Sequence, residues 1–427
     1  MRFSALSALL LSIVVIPSVF GGAVLSSRST PKGFVTTRGT QFQLDGKPFA
    51  FVGANSYWLP LLTTHEDVEA TLKSMQQAGV KVLRTWGFNA INQTELAGAL
   101  QSNLTYYQVW DKNGWTLNDG PQGLQRLDHV IETAGKHGIK VILAFTNNWV
   151  GYGGSDLYIS WIAGAGQSHD VFFTDHRIIA SYQKYVRTIV NRYKDSPNIF
   201  AWELINEARC LSDTFPAGPN CVPGTNVIPK WYKEQSEFVR SLDPHHLITT
   251  GGEGHFFWKH ANSTFENDYN FDGQAGEDFD RDLLLPNIDF GTYHLYPQSW
   301  YSNLDHPGTN FSIEQWGLEW IDFHARSAAR ADKPVIIEEF GVSGLDNKTT
   351  IYPTWVKRAL DTRHAGIMPW QYGQLGLTEN GGNRLIKYAD AIIDGASPND
   401  GNTFYPNQTS VWDVFTNAAK IQAQRSH

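Results

Sequence analysis

The sequence has few of the features that mark metal-binding, nucleic-acid-binding or modular proteins. It contains two cysteines, which cannot form a zinc site alone, and no histidine spacing nearby supports one. Lysine and arginine number 34 against 42 acidic residues, and the net charge of −8 without a basic block argues against a nucleic-acid partner. No internal repeat or low-complexity linker interrupts the chain, so we expect one large domain and no separate binding module.

The chain also lacks long apolar runs, with one exception at its N-terminus. Residues 5–20 are nearly all apolar or small, follow a basic start and precede a Gly-Gly-Ala sequence. This pattern predicts a secretory signal peptide over residues 1–22, followed by a short polar leader over residues 23–34. The alternative is a membrane anchor, but the run is short for a bilayer span, which needs about 20 apolar residues. We therefore expect a secreted, extracellular protein with no membrane partner.

Secretion has consequences for the cysteines and for several asparagines. Because an exported protein meets an oxidising compartment, we expect Cys210 and Cys221 to form a disulfide that stiffens the loop between them. Six Asn-x-Ser/Thr sequons fit the same route, although each is a weak signal. Their asparagines are Asn92, Asn103, Asn262, Asn310, Asn347 and Asn407.

What the sequence does contain is a regular alternation of strand-like and helix-like segments. Short apolar runs occupy residues 49–57, 80–88, 140–149, 199–207, 247–253, 290–297, 334–341 and 366–373. Amphipathic stretches lie between them, except that residues 258–289 predict an elaborated loop. Eight such units predict an α/β fold, a single-domain (β/α)8 TIM barrel over residues 35–427. The alternative is a doubly wound sheet, but the Gly-rich phosphate loop of that fold is missing.

Two of the predicted strands end in acidic residues that require an explanation. Glu207 closes the fourth run, and Glu339 lies near the end of the seventh. A lone buried carboxylate is costly, and the strand ends of a barrel form the active site. Hydrolysis of a glycosidic bond needs two such groups, one to protonate the leaving oxygen and one to attack the sugar or activate water. A separation of ~5–5.5 Å between them would indicate a retaining mechanism.

Seven ordered motifs at the predicted strand ends carry a family resemblance. They are Asn55–Trp58, Arg84–Asn89, Asn147–Trp149, Trp202–Cys210, Phe290–Pro297, Glu338–Gly341 and Trp370–Gly373. With these motifs the chain resembles glycoside hydrolase family 5, and within it the secreted endo-β-1,4-mannanases of fungi and plants. The resemblance implies endo-hydrolysis of β-1,4-mannosidic linkages in mannan, galactomannan and glucomannan by a retaining double displacement. It implies no metal and no cofactor, and we expect a monomer.

The resemblance assigns roles to the two carboxylates. Glu207 matches the acid/base of the family, which needs a raised pKa, and Glu339 matches the nucleophile, which needs a low one. Glu203 shares a strand face with Glu207 and is predicted to be a paired acid of the barrel core. Glu338 is the rival of Glu339, and strand alternation predicts that it faces away from the substrate.

Further positions match residues that contact the substrate or the nucleophile in the family. Asn206 matches the residue that hydrogen-bonds the sugar 2-hydroxyl, and Arg84 matches an arginine that hydrogen-bonds the nucleophile. His294 and Tyr296 match an active-site pair on the sixth strand. Trp370 matches the aromatic platform under the sugar at the cleavage point.

Three more tryptophans and one arginine resemble binding residues of the family. Trp86, Trp149 and Trp300 look like sugar-facing aromatics, although packing at the barrel rim is an equal alternative for Trp149 and Trp300. Arg209 follows the predicted acid/base by two residues, as in the mannanase pattern, where it helps to hold a mannose on the leaving-group side. Two other functions stay open, a retaining endo-β-glucanase of the same family and a catalytically silent sugar-binding barrel.

Overall fold

The alternating segments of the sequence form eight parallel strands with a helix after each one. The computed structural model describes residues 30–258, 269–301, 303–305, 312–379 and 392–426. The strands, labelled β1 to β8 in chain order, are Phe51–Asn55, Val82–Trp86, Lys140–Ala144, Ile199–Glu203, Leu247–Thr249, Gly291–Leu295, Val335–Phe340 and Gly366–Ile367. Each lies within one of the eight predicted runs. Their nearly continuous burial is typical of parallel strands that are covered on both faces.

The strands pair in the order of a barrel. Hydrogen bonds join them in the order β5-β4-β3-β2-β1-β8-β7-β6, and every pair is parallel. Asp289 N donates to Ile248 O at 2.9 Å and His294 N donates to Glu253 O at 3.2 Å. These two backbone contacts bring the segments around β5 and β6 together. The predicted (β/α)8 barrel is therefore confirmed.

Eight helices, labelled α1 to α8, follow the eight strands. They are His65–Gln77, Leu124–Lys136, His176–Tyr193, Val227–Leu242, Phe279–Leu283, Ile313–Ala331, Leu345–Asp361 and Thr409–Arg425. The apolar stripe of α3 is buried, with Ile178, Tyr182 and Ile189 fully enclosed. Helix α5 has five residues within a long connection, which agrees with the predicted elaborated loop.

A small antiparallel sheet closes the end of the barrel at which the strands begin. Its strands are Val35–Arg38, Gln41–Leu44 and Lys47–Phe49. Phe42 of this sheet packs against Phe51, Phe200 and Phe290, with ring centroids 6.1, 5.0 and 5.1 Å apart. This plug leaves the opposite end of the barrel, where the polar strand ends lie, as the place for chemistry.

Short elements decorate the connections. A second small sheet contains Ala90–Asn92, Gln108–Asp111 and Gly114–Leu117. Short helical turns occupy Leu59–Leu61, Gln93–Glu95, Leu96–Gln101, Ser155–Tyr158, Ile159–Ala163, Val171–Thr174 and Pro297–Trp300.

Residues 31–427 form one compact unit. The predicted signal peptide, most of the predicted leader, Asn262 and Asn310 lie outside the described residues. Among the helices that the structure describes, none is both long and apolar enough to cross a membrane.

Candidate active site

The two predicted catalytic carboxylates lie side by side where the strands end. Glu207 follows β4, Glu339 is the next-to-last residue of β7, and a carboxylate oxygen of one lies within 4.8 Å of a carboxylate oxygen of the other. This spacing is close to the ~5–5.5 Å of retaining glycosidases and well below the ~6.5–9.5 Å of inverting ones. Both side chains line a cleft of about 430 Å³.

Hydrogen-bonding groups hold Glu207 on two sides. His294 Nδ1 lies 2.7 Å from Oε1, and Trp149 Nε1 donates to Oε2 at 2.6 Å. The backbone of Glu207 has φ = 55°, a left-handed conformation that costs about 1–3 kcal/mol in a residue other than glycine. Glu207 N donates to Gly251 O at 2.8 Å, which ties this turn to the segment after β5. The surrounding contacts therefore maintain a strained turn at the residue predicted to transfer the proton.

Both oxygens of Glu339 also accept hydrogen bonds. Arg84 Nη1 donates to Oε1, and Tyr296 Oη donates to Oε2 at 2.7 Å. His294 Nδ1 is 3.5 Å from the same Oε2, so the imidazole lies between the two carboxylates. Atoms of Glu207, His294 and Glu339 converge as metal ligands can, but all four carboxylate oxygens already have protein partners.

Arg84 links the nucleophile candidate to the barrel core. Its Nε and Nη2 donate to the two oxygens of Glu203 at 2.7 Å each, a bidentate pair that is shielded from solvent. Nη2 also donates to Asn206 Oδ1 at 2.7 Å, and Nη1 donates to Asn55 Oδ1 at 3.1 Å. Glu203 is thus a paired acid of the core, as predicted.

Glu338 does not line the cleft, which agrees with the prediction that it does not face the substrate, but it does not lie on the opposite face that strand alternation predicts. Its Oε1 lies 3.6 Å from Arg84 Nε, and its Oε2 lies 3.5 Å from His294 Nε2. The register of the β6–β7 pairing shifts after Tyr293, which leaves Glu338 as the extra residue of a bulge. The bulge turns Glu338 toward the barrel interior beside Glu339. Of the two, only Glu339 lines the cleft.

The position of His294 between carboxylates decides its charge and that of Glu207. Burial lowers the pKa of His294, but the negative charge of Glu339 and the hydrogen bond to Glu207 outweigh burial and raise it well above its ordinary value. Burial raises the pKa of Glu207, but the hydrogen bond and charge of His294, the charge of Arg209 and the hydrogen bond from Trp149 together lower it to about 2. These two directions favour an imidazolium at His294 that donates to an ionised Glu207.

The pKa directions of the two carboxylates are the reverse of those predicted. Burial outweighs the positive charges of His294 and Arg84 at Glu339, and its pKa is raised. Burial likewise raises the pKa of Glu203 to about 7 against the opposing charge of Arg84. The prediction treated each carboxylate alone, whereas in the folded site His294, Arg84 and Arg209 act on several neighbouring carboxyl groups together.

Aromatic side chains form one wall of the cleft. The rings of Tyr57 and Trp370 stack at 10° with centroids 5.6 Å apart. Trp86 lies 6.0 Å from Trp370, and Tyr152 lies 5.6 Å from Tyr57. Trp370 Nε1 donates to Asp400 Oδ2 at 2.6 Å, which fixes the plane of the indole. This wall offers the flat apolar faces on which pyranose rings stack.

Arg209 occupies another part of the cleft between aromatic rings. Its guanidinium carbon is 5.3 Å from the ring centroids of both Trp149 and Tyr269. Its Nη2 donates to Glu253 Oε1 at 2.6 Å, and its Nε donates to the second oxygen. The ion pair and the two rings hold the arginine in one orientation.

The predicted disulfide between Cys210 and Cys221 is present, with an S–S distance of 2.03 Å. It lies directly after Arg209 in the chain and closes the loop that follows the strained turn. Cys210 N also donates to Ala275 O at 2.8 Å, which anchors the same end of this loop.

The remaining tryptophans divide between cleft and core. Trp300 lines the cleft and packs edge-on against Tyr296, with centroids 6.3 Å apart. Trp58 is fully buried away from the cleft. Trp316 and Trp320 are each 1% exposed and belong to the core, as their helical spacing indicates.

Comparison with known proteins agrees with this geometry. The family model described as GH family 5 beta-mannosidase-like matches residues 32–405. The chain belongs to this glycoside hydrolase family.

Individual family 5 proteins match over most of the chain. Mannan endo-1,4-beta-mannosidase F of Aspergillus clavatus is 39% identical over 387 residues, which are 89% of this chain and 77% of that protein. The endo-1,4-beta-mannanase structure from Rhizomucor miehei matches with a TM-score of 0.75 and 35% identity, covering 92% of this chain and 99% of the other. An endo-beta-1,4-mannanase structure from Thermotoga petrophila gives 0.73 and 30%, covering 88% and 78%.

The residues predicted from the family 5 resemblance come together at one place. Nine of them line the cleft: Trp86, Trp149, Asn206, Glu207, Arg209, Tyr296, Trp300, Glu339 and Trp370. Arg84 and His294 lie behind the cleft wall, 1% and 0% exposed, and touch the two carboxylates from below.

Eight further residues line this family 5 cleft, and three of them, Tyr57, Glu253 and Asp400, were not assigned a role from the sequence although they contact or adjoin predicted site residues. Tyr57 lies within the first motif, and Glu253 ends the fifth predicted run, so a polar residue at a strand end was an available signal. Asp400 lies 30 residues after its partner Trp370, and no local pattern marks it.

Proposed function

We propose that this family 5 enzyme hydrolyses internal β-1,4-mannosidic linkages of mannan, galactomannan and glucomannan with retention of configuration. Glu339 is the nucleophile and Glu207 is the acid/base. The observation that carries the mechanism is the approach of a carboxylate oxygen of each residue to within 4.8 Å, which is nearer the ~5–5.5 Å spacing of retaining enzymes than the ~6.5–9.5 Å of inverting ones. The substrate assignment rests on relatives that are named as mannan endo-1,4-beta-mannosidases and endo-1,4-beta-mannanases.

In the first step a carboxylate oxygen of Glu339 attacks the anomeric carbon. The glycosidic C–O bond breaks, and the departing oxygen takes a proton from Glu207. Tyr296 and Arg84 each hold one oxygen of Glu339 and fix its direction of attack. The products of this step are a covalent mannosyl-enzyme ester and the shortened polysaccharide.

Glu207 must carry a proton when the first step begins. The titratable group that contacts it is His294, whose Nδ1 lies 2.7 Å from Glu207 Oε1. A bound sugar displaces water from the carboxylate, and this desolvation favours the neutral form of Glu207. Substrate binding therefore draws the proton from the imidazole to the carboxyl group.

In the second step Glu207 acts as a base. It takes a proton from a water molecule, the water oxygen attacks the anomeric carbon, and the ester bond to Glu339 breaks. Asn206 lines the cleft with its amide fixed by Arg84 and by Asn147, which supports its assignment to the hydrogen bond with the sugar 2-hydroxyl. Trp370 supplies the platform for the reacting sugar, while Arg209 binds on the leaving-group side.

We also propose the cellular form of the enzyme from its sequence pattern. Residues 1–22 are removed as a signal peptide, residues 35–427 act as the catalytic domain, and the enzyme is secreted as a monomer. A silent sugar-binding role is disfavoured because both carboxylates retain a complete set of hydrogen-bonding partners.

The test is reducing-end release from galactomannan, glucomannan, carboxymethyl-cellulose and laminarin by the purified protein and by Glu339→Ala and Glu207→Ala. We expect cleavage of the two mannans and loss in both variants. Azide should rescue Glu339→Ala as an α-mannosyl azide and Glu207→Ala as a β-mannosyl azide, because azide replaces a different group in each case. Activity on the glucans alone would replace the substrate assignment by endo-β-glucanase, and no activity on any polymer would favour the silent barrel.

A further inference from the structure

A buried polar network behind the cleft connects the acid/base to a histidine that the mechanism does not use. His169, Asp156 and Asn148 are 0%, 1% and 0% exposed, and none of them lines the cleft. His169 Nε2 lies 2.9 Å from Asn148 Oδ1, and Nδ1 lies 3.1 Å from Asp156 Oδ1. An imidazole enclosed between two such partners is held in one orientation by the hydrogen bonds of its two ring nitrogens.

The partner on one side is an oxygen, because the amide of Asn148 is oriented by its other contacts. Its Nδ2 donates to Leu211 O at 3.1 Å, and its Oδ1 accepts from Arg209 N at 2.9 Å. In the opposite amide orientation, Asn148 Nδ2 would face the N–H of Arg209, donor against donor. Asn148 Oδ1 would then face Leu211 O, acceptor against acceptor. His169 Nε2 therefore faces an acceptor and must donate.

The partner on the other side is a carboxylate. Asp156 Oδ2 accepts from Ser212 Oγ at 2.9 Å and from Thr214 Oγ1. Burial raises the pKa of Asp156, but the hydrogen bonds from His169, Thr214 and Ser212 outweigh burial and lower it. His169 therefore lies between two oxygen atoms that are themselves held by other groups, and its ring links Asn148 to Asp156.

The group that His169 holds is connected to both flanks of the acid/base. Asn148 directly precedes Trp149, whose Nε1 donates to Glu207 Oε2 at 2.6 Å. The same asparagine accepts from Arg209 N, two residues after Glu207, and its own backbone N donates to Asn206 O at 2.9 Å. Movement of Asn148 would displace the indole donor and the strained turn together.

We propose that His169 is a positioning residue of the acid/base, a buried histidine outside the cleft that fixes Asn148 and thereby the placement of Trp149 and Arg209 around Glu207. The inference rests on the proposed role of Glu207. It predicts a specific kinetic signature, because a misplaced general acid slows the departure of poor leaving groups and leaves good leaving groups almost unaffected.

The experiment compares kcat/KM for galactomannan with kcat/KM for 2,4-dinitrophenyl β-mannotrioside, whose phenolate departs without protonation. We expect His169→Gln to lower the first at least ~10-fold and the second less than ~2-fold, since small misplacements of a catalytic group cost up to about 10²-fold. Asn148→Ala breaks the link between His169 and the residues around Glu207, and it should give the same selective loss on galactomannan. If His169→Gln does not fold, the result for Asn148→Ala decides whether the proposal holds.

His246→Gln is the matched control. His246 is also buried between two acceptors, with Nδ1 2.6 Å from Asp243 Oδ2 and Nε2 3.0 Å from Ser196 O, but it lies just before β5 at the opposite end of the barrel. It should lower the melting temperature without changing the ratio of the two kcat/KM values. Equal losses on both substrates in His169→Gln, or no loss, would overturn the proposal.

Glu207→Gln separates this proposal from the one it rests on. It should show the same selective loss on galactomannan to a greater extent. If Glu207→Gln shows the selective loss and His169→Gln does not, the acid/base assignment stands and the positioning role falls. If Glu207→Gln lowers both values equally, the acid/base assignment fails, and the role of His169 fails with it.

Discussion

The indole nitrogen of Trp149 lies 2.6 Å from Glu207 Oε2, opposite the imidazole of His294 at Oε1. From the sequence, Trp149 could equally have been a residue that only packs at the barrel rim. In the structure it is a direct hydrogen-bond donor to the proposed acid/base. The donor stabilises the ionised carboxylate, which is the form that Glu207 approaches as it gives up its proton.

Replacing Trp149 by phenylalanine should therefore slow the first chemical step. Trp149→Phe keeps most of the ring and removes the donor, and a hydrogen bond to a charged group is worth about 1.5–3 kcal/mol, so we expect kcat/KM on galactomannan to fall about 10- to 100-fold. The lost donor also raises the pKa of Glu207. Because Glu207 carries the proton in the substrate complex and must be protonated to act, the alkaline limb of the pH profile of kcat should move to higher pH.

The control for this variant is Trp161→Phe. Trp161 packs against Trp110 with centroids 4.6 Å apart and does not line the cleft. It should leave both kcat/KM and the pH profile of the enzyme unchanged. A shift of the alkaline limb to lower pH in Trp149→Phe would mean that the indole does not stabilise the ionised acid.

Arg84 should contribute to both stability and rate. Arg84→Met leaves the buried carboxylates of Glu203 and Glu339 without their shared cation, and breaking a buried pair by removing one partner costs about 3–5 kcal/mol. The free energy of unfolding in urea should fall by that amount, and kcat should fall because Glu339 loses a partner that orients it. Arg358→Met, which breaks an exposed pair with Asp322, should cost at most about 1 kcal/mol. Equal costs in the two variants would contradict the central role of Arg84.

Much of this arrangement was predictable because it depends on local patterns. The eight apolar runs locate the strands, and polar residues at their ends locate Glu207 and Glu339. The position of Glu338 was not predictable, since it depends on a bulge that arises from the pairing of β6 with β7. Alternation within one strand contains no information about that register.

Charges and distant loops account for the other differences. The pKa of Glu207 depends on His294, 87 residues away, so the environment of the carboxylate is a property of the folded site. Asp400 reaches the cleft through its contact with Trp370, and neither residue predicts the other from the sequence. Such residues become recognisable only when the loops are placed over the barrel.

The disulfide should stabilise the enzyme more than it contributes to catalysis. It joins residues 11 positions apart, and constraint of such a loop in the unfolded chain is worth about 3 kcal/mol. A Cys210→Ala, Cys221→Ala double variant should lose that amount in urea unfolding. Its kcat/KM on galactomannan should stay within about threefold, because Arg209 keeps its own contacts with Asn148 and Glu253. A large kinetic loss with unchanged stability would show that the bridge acts on the cleft instead.

A buried histidine far from the cleft should make the fold sensitive to acid. His364 is fully buried, with Nε2 2.8 Å from Tyr293 Oη and Nδ1 3.0 Å from Thr362 Oγ1, and burial lowers its pKa to about 3. Below pH 6.5, the ordinary pKa of histidine, the unfolded chain binds a proton at His364 that the folded protein excludes. Stability therefore falls as the pH falls from about 6.5 toward 3.

The variant His364→Gln cannot take up that proton. We compare the free energy of unfolding of the variant with that of the wild type at two pH values. The amount by which the variant is less stable than the wild type should be about 2–3 kcal/mol smaller at pH 4.5 than at pH 7.5. A deficit that stays constant between the two pH values would show that His364 is protonated in the folded protein as readily as in the unfolded chain.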